Sequence, residues 1–234
     1  MEYIYLSYAL EEDTPVHIGL KKPSTSQNNT IYNNGYNTYL ICAENHSGTH
    51  VDAPAHFIEG GKNISEYGPE DLVFNNILIL DILADSKKQI ALDDLLWAAD
   101  NRKKNLKELM EKTDFLILNT GFHTYRHNNI EKYLRENPGI KPDLIKYLRQ
   151  YYPSIRAIGI DSISISTFDD PKNAILTHQM AFVADDEYGE PLLLVEDMDL
   201  NNLSSSNTIK KLMVIPWQVK NVDSAPCTVI AFLD

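Results

Sequence analysis

Eight short segments rich in Ile, Val, Leu and Tyr recur along the chain, and their distribution limits the fold more than any other feature. They cover residues 4–7, 39–43, 77–83, 115–119, 157–161, 192–195, 211–216 and 227–233. Polar or turn residues bound each one, which is the pattern of strands. Helical spacing is confined to the middle of the chain. Residues 92–112 carry Leu95, Leu96, Ala99, Leu106, Leu109 and Met110 near a helical period. Residues 130–135 form a shorter helical stretch. Residues 142–151 begin with a proline, whose missing N–H is harmless in a first turn, and Pro153 follows their end. Both ends of the chain are strand-rich. The pattern therefore predicts a mixed α/β fold with a β-rich core and flanking helices, not a doubly wound parallel sheet. A length of 234 residues suits a single domain spanning 1–234. The polar stretch 24–37, with five asparagines, reads as a mobile loop.

Charge narrows the partners. The net charge is −12, from 33 acidic and 21 basic residues, so phosphate backbones and anionic lipid are repelled. Neither nucleic acid nor a membrane surface is an expected partner, and the acidity itself says little about the substrate, because surface charge mostly serves solubility. The most apolar run, 76–84, is interrupted by Asp81 and is too short to cross a bilayer. The first ten residues lack the basic and apolar regions of a signal peptide. Cys42 and Cys227 are too few and too far apart for a disulfide framework, and in apolar segments they read as packing residues. The expectation is a cytoplasmic protein.

Three of the seven histidines, His46, His50 and His56, fall within eleven residues together with Asp52. Imidazole nitrogen and carboxylate oxygen are ligands of zinc, manganese and iron. In an extended run His50, Asp52 and His56 would point to one side. Pro54 has no N–H for a ladder and argues for an edge or an irregular loop. Gly48 gives a flexible point that would return His46 toward His50 and Asp52. A chance cluster of surface or core polar residues is the plainer reading, but four candidate ligands in so short a span weigh against it. Three protein ligands leave coordination positions open, and a metal-held water loses its proton near neutral pH. Asp52 has two oxygens and could bridge a second ion whose other ligands come from elsewhere.

The string His46-Ser-Gly-Thr-His50-Val-Asp52-Ala-Pro-Ala-His56 resembles the signature H-x-G-T-H-x-D-x-P-x-H of the cyclase family, which includes bacterial kynurenine formamidase and isatin hydrolase. Asn119-Thr-Gly121, Asn137-Pro-Gly-Ile-Lys-Pro142, Gly159-Ile-Asp-Ser-Ile-Ser164 and Leu194-Val-Glu196 resemble later family segments in the same order. The resemblance implies a kynurenine formamidase/cyclase-like swivelling β/α/β fold. It implies that His46, His50 and Asp52 bind metal, with Asp52 bridging two ions, and that His56 transfers protons. His178 and a glutamate would complete a second metal site. Spacing from His178 alone gives Glu190, whereas the sequence context gives Glu196, with 185–189 as an inserted hairpin. Two Zn²⁺ ions are the expectation, with Mn²⁺ as the alternative. The family also implies a homodimer or homotetramer, and the strand-rich ends offer edges that need covering.

Two departures concern substrate. The family's Asp-Leu-Ser reads Tyr5-Leu6-Ser7, and its Gly-x-Pro-x-Arg reads Ser224-Ala-Pro226-Cys-Thr228. The expected activity is metal-dependent hydrolysis of a small amide by metal-bound hydroxide. An aryl formamide resembling N-formylkynurenine, from tryptophan catabolism, is the first candidate. A cyclic amide or lactone of the isatin kind is the second, and a non-catalytic metal- or ligand-binding protein is the rival from another class. Other residues admit two readings each. His123, Tyr125, Arg126 and His127 line a pocket or an exposed loop. His17 reaches the site or is structural. Asp161 orients a ligand histidine or caps a turn. Trp97 and Trp217 belong to the core or to an interface. Ser47 beside histidines suggests a nucleophile, but no third orienting group accompanies it.

Overall fold

The computed structural model describes residues 2–234. In the N-terminal part the strands are β1 (Glu2–Tyr5), β2 (Ser24–Asn29), β3 (Thr38–Cys42), β4 (His50–Asp52), β5 (Val73–Phe74), β6 (Ile77–Asp81) and β7 (Gln89–Ile90). They continue as β8 (Phe115–Asn119), β9 (Gly139–Ile140), β10 (Ala157–Ile160), β11 (Leu193–Glu196), β12 (Ile209–Pro216) and β13 (Ser224–Leu233). The helices are α1 (Ile31–Asn34), α2 (Leu92–Asn101), α3 (Leu106–Met110), α4 (Tyr125–Asn128), α5 (Ile130–Arg135), α6 (Pro142–Tyr151) and α7 (Pro171–Phe182).

One mixed sheet organises the domain, in the order β5-β12-β13-β4-β11-β10-β8-β6, with β1 paired to β13. Strands β11, β10, β8 and β6 run parallel, whereas β4 is antiparallel to both β11 and β13. The short central β4 thus joins a parallel half to an antiparallel half. Side-chain alternation divides the parallel strands between two cores. Leu78, Leu80, Leu116, Leu118, Ile158 and Leu194 pack on one face with α2, α6 and α7. Ile79, Ile117, Val195 and Val51 face the other way, against Leu212, Val214 and Val229 of the antiparallel half. Each such fully buried aliphatic side chain contributes about 1.5–3 kcal/mol.

The α/β architecture with a β-rich core is as expected, and seven of the eight apolar segments overlap strands of similar extent in this sheet or, for β3, in a small hairpin. The eighth, 4–7, overlaps β1 only at its start. The hairpin 185–189 also forms, closed by an Asp185–Gly189 bridge. Other readings need correction. The stretch 24–37 is not a loop: β2 pairs with β3 and α1 forms the connection. Residues 92–112 are two helices, broken where Lys103 adopts a left-handed φ of 53°. Helix α7 has no counterpart among the expected helices. Pro54 does not mark an edge, because β4 ends at Asp52 in the sheet's interior and Pro54 opens a 3-10 turn instead. Cys42 is exposed, and Trp97 and Trp217 lie outside the core at 51% and 44% exposure.

Candidate metal centre

The junction strand supplies the floor of the site. His50 and Asp52 sit two residues apart on β4 and share a face. The ladder with β11 places Glu196 directly opposite His50. On the other side β13 pairs Ser224 with Asp52. His178 arrives from α7, with Nε2 3.5 Å from Glu196 Oε1. His46 comes from the turn before β4. There Gly48 holds a φ of 64°, and an added Cβ would lie 3.3 Å from Leu10 and from Thr14. His56 follows on the 3-10 turn Pro54–His56, not on an extended strand. All six residues named from the sequence, His46, His50, Asp52, His56, His178 and Glu196, therefore meet. Glu190 is exposed and lies away from them, lining a separate 460 Å³ cavity, so the choice between the two glutamates falls to Glu196.

The distances resolve two overlapping groups. His46, Asp52 and His56 form one, and His50, Asp52 and Glu196 the other, with Asp52 common to both. His46 Nδ1 and His50 Nε2 lie 3.0 and 3.4 Å from Asp52 Oδ1, and His50 Nε2 lies 3.4 Å from Glu196 Oε2. This grouping makes His56 a member of one candidate ligand set, where the sequence reading kept it apart from the metal.

Backbone carbonyls orient two of the histidines. His50 Nδ1 lies 2.8 Å from Gly48 O, and His178 Nδ1 lies 2.8 Å from Ala174 O. A carbonyl can only accept, so Nδ1 carries the proton and Nε2 keeps its lone pair. Glu196 Oε1 accepts from Ile165 N at 2.7 Å and from Ser164 Oγ at 3.2 Å. The neighbouring residue anchors this strand end. Asp197, at a left-handed φ of 52°, takes a bidentate bond from Arg126 at 2.8 Å on each oxygen. Its carbonyl also accepts from Thr49 Oγ1 at 2.6 Å. One buried knot thus ties the residue after Glu196 to the residue before His50.

Several buried polar atoms have no partner within the protein. Among the described residues they include His50 Nε2 and both carboxylate oxygens of Asp52. Leaving a buried ionisable group unpaired costs several kcal/mol unless a counter-charge is supplied. A divalent cation supplies one, and nitrogen with carboxylate oxygen is the donor set zinc and manganese accept. The protonation pattern agrees. Burial opposes charge on His46, yet the contacts with Asp223 and Asp52 outweigh it and raise its pKa to about 10. Burial likewise opposes charge on His50 and His178, but Asp52 and Glu196 keep both raised. Glu196 resists the upward push of burial and is held low by His178 and His50.

Asp223 was not legible in the sequence. Its Oδ2 lies 2.7 Å from His56 Nδ1 and 3.0 Å from His46 Nε2. It immediately precedes the segment Ser224-Ala-Pro226-Cys-Thr228, and only the β13–β4 register reveals that it borders the site. Side-chain exposure sets the direction of approach. His50, Asp52, His178 and Glu196 are 1–6% exposed, whereas His46, His56 and Asp223 are 16%, 26% and 28% exposed. The latter three form the mouth.

The remaining candidates fall elsewhere. His17 is exposed and contacts its neighbour's carbonyl and Phe168. Asp161 orients no candidate metal ligand. It accepts from Thr120, and its Oδ2 lies 2.6 Å from His123 Nδ1. Arg126 is buried against Asp197, not in a loop facing substrate.

The cyclase family model matches residues 4–167. A kynurenine formamidase from Geobacillus thermodenitrificans is 29% identical over 228 residues, covering 96% of this chain and 94% of that protein. Isatin hydrolase A from Labrenzia aggregata superposes with a TM-score of 0.80 at 18% identity, over 98% of this chain and 93% of its own. A structure named as a potential metal-dependent hydrolase with cyclase activity superposes at 0.72 and 20% identity, over 98% and 96%. With the signature from His46 to His56 intact and the family model matched across most of its length, this chain belongs to the cyclase family.

Proposed function

We propose that this chain is a metal-dependent hydrolase of a small amide, with an aryl formamide such as N-formylkynurenine as its substrate. The observation that carries the reading is the buried floor of His50, Asp52, His178 and Glu196, where His50 Nε2 and both Asp52 oxygens have no hydrogen-bond partner, below a mouth that holds His56. Kynurenine formamidase relatives align over most of the chain and support the substrate class. His46, His50, Asp52, His178 and Glu196 would hold two ions that share Asp52, with zinc the first choice and manganese the second. A bound divalent ion supplies Lewis acidity toward a carbonyl and makes water a nucleophile near neutral pH.

The chain's own residues do the remaining work. Water adds to the formyl carbon, the C–N bond breaks, and the nitrogen leaves with a proton. An amide anion is too basic to depart, so a proton must be delivered. His56 stands at the mouth, and an imidazole nitrogen can both accept and donate a proton. It takes the proton released by the attacking water and returns it to the leaving nitrogen. Thr228 stands where the family has an arginine, so a cyclic amide or lactone is a competing substrate of the same bond chemistry. A non-catalytic binding role is the rival from another class. The deciding experiment is turnover of N-formylkynurenine, isatin and simple lactones by zinc- and manganese-loaded protein. N-formylkynurenine should be hydrolysed fastest. No turnover of any by protein with full metal content would leave only the binding role.

The reading includes a cytoplasmic location and a homodimer or homotetramer. Among the described residues, no helix is long and apolar enough to cross a membrane. The β2–β3 hairpin carries the case for assembly. Tyr36, Tyr39, Leu40 and Ile41 are more than half exposed, and residues 23–43 contain no charged side chain in a chain of net charge −12. A two-stranded hairpin is marginal in water alone, and uncharged edges invite pairing. The hairpin's own residues bring no charge to a contact with a second copy. Light scattering at micromolar concentration should give a multiple of 26.6 kDa, and a monomeric mass would contradict it.

A further inference from the structure

One carboxylate lies between the two exposed histidines of the site. Asp223 Oδ2 lies 2.7 Å from His56 Nδ1 and 3.0 Å from His46 Nε2. The aspartate is itself fixed at two further points. Its Oδ1 accepts from Asn45 Nδ2 at 2.7 Å, and its backbone carbonyl accepts from Ala53 N at 2.9 Å. Asn45 is held in turn by Ser224, whose Oγ donates to the Asn45 carbonyl at 3.1 Å. The Ala53 bond ties Asp223 to the residue after Asp52, three residues before His56. An ionised carboxylate only accepts, so both nitrogens that face it must carry protons. His46 Nδ1 lies 3.0 Å from Asp52 but leaves both Asp52 oxygens without a hydrogen bond.

We propose that Asp223 is a positioning residue that sets the tautomer of two histidines at once. It keeps the His56 proton on Nδ1, so Nε2 is the nitrogen that takes and returns the substrate's proton. It keeps the His46 proton on Nε2, so the Nδ1 lone pair is presented on the Asp52 side, where a cation would bind. The arrangement combines two known uses of an outer carboxylate, orienting a metal-binding imidazole and orienting a general base. A single residue thereby couples the charge of the floor to the proton carrier at the mouth. Only the His56 half rests on the hydrolase reading above. The His46 half stands on geometry alone.

Imidazole ¹⁵N shifts of zinc-loaded protein, taken under alkaline conditions where free imidazole is neutral, read both tautomers without any substrate. The wild type should show Nδ1–H on His56 and Nε2–H on His46. Asp223→Asn, which keeps the shape and loses the charge, should shift His56 toward a mixture of tautomers. Asp223→Ala should weaken zinc binding and lower kcat, each by about 10–100-fold, with KM little changed. Added acetate should restore part of kcat in Asp223→Ala, since the site is open to solvent, and a purely structural defect would not respond. An Nε2–H tautomer on His56 in the wild type would overturn the proposal even if neither variant folds. So would unchanged tautomers and zinc affinity in folded variants. If no substrate is ever turned over, the hydrolase reading fails while the tautomers and zinc affinity still decide the role of Asp223.

Discussion

Replacing Asp52 with alanine is expected to abolish metal uptake and turnover together. Asp52 is 1% exposed, belongs to both candidate ligand groups, and has no hydrogen-bond donor within the protein for either oxygen. No other side chain at the site holds that shared position. The loss should be visible without any substrate. An ion that binds only the folded chain stabilises it by about 2.7 kcal/mol at a hundredfold excess over Kd. For a chain of this size that corresponds to a rise in Tm of about 5–11 °C. Wild-type protein stripped by a chelator should regain this increment when zinc is added, and Asp52→Ala should not. Asp52→Asn, which keeps the volume on β4, separates ion loss from a packing defect. Full metal occupancy in either variant, measured by elemental analysis, would remove Asp52 from the centre.

The second large effect belongs to His56. Its replacement by alanine should leave both ions in place and lower kcat by about 10²–10⁴-fold, the usual worth of general acid–base help. The fold should tolerate the change, because His56 is 26% exposed on a 3-10 turn. The measurement pairs metal content with turnover on an accepted substrate. The pairing is needed because His56 also stands in a group with His46 and Asp52 that could hold an ion. Lost metal would identify His56 as a ligand, and full metal with normal turnover would take it out of the chemistry.

The parallel strands were legible because burial on both faces makes them continuous apolar runs, as in Phe115–Asn119. Helix α7 was not, because its buried residues include Thr177 and His178, so it lacks a clear apolar stripe. Its start did carry a signal: Asp170 caps the backbone N–H of Asn173, and Pro171 occupies the first turn. Strand β2, Ser-Thr-Ser-Gln-Asn-Asn, is polar throughout and pairs only with β3, so burial leaves no trace in its composition. The candidate ligands from His46 to Asp52 were legible as a local cluster. His178 and Glu196 needed the family resemblance, since they lie far along the chain, Glu196 reaching the site through the β4–β11 ladder and His178 on α7. Asp223 depends on strand register alone, which no spacing rule encodes.

The position of β4 bears on how the candidate ligand set is completed. This three-residue strand is hydrogen-bonded on one side to β11 and on the other to β13, whose range ends at Leu233. A chain emerging from the ribosome exposes His46, His50 and Asp52 long before it has made either neighbour. Until β11 is present, Glu196 is not opposite His50, and until β13 is present, Ser224 is not opposite Asp52. The candidate ligand set is therefore a product of long-range sheet pairing, and the local segment from His46 to His56 does not complete it alone.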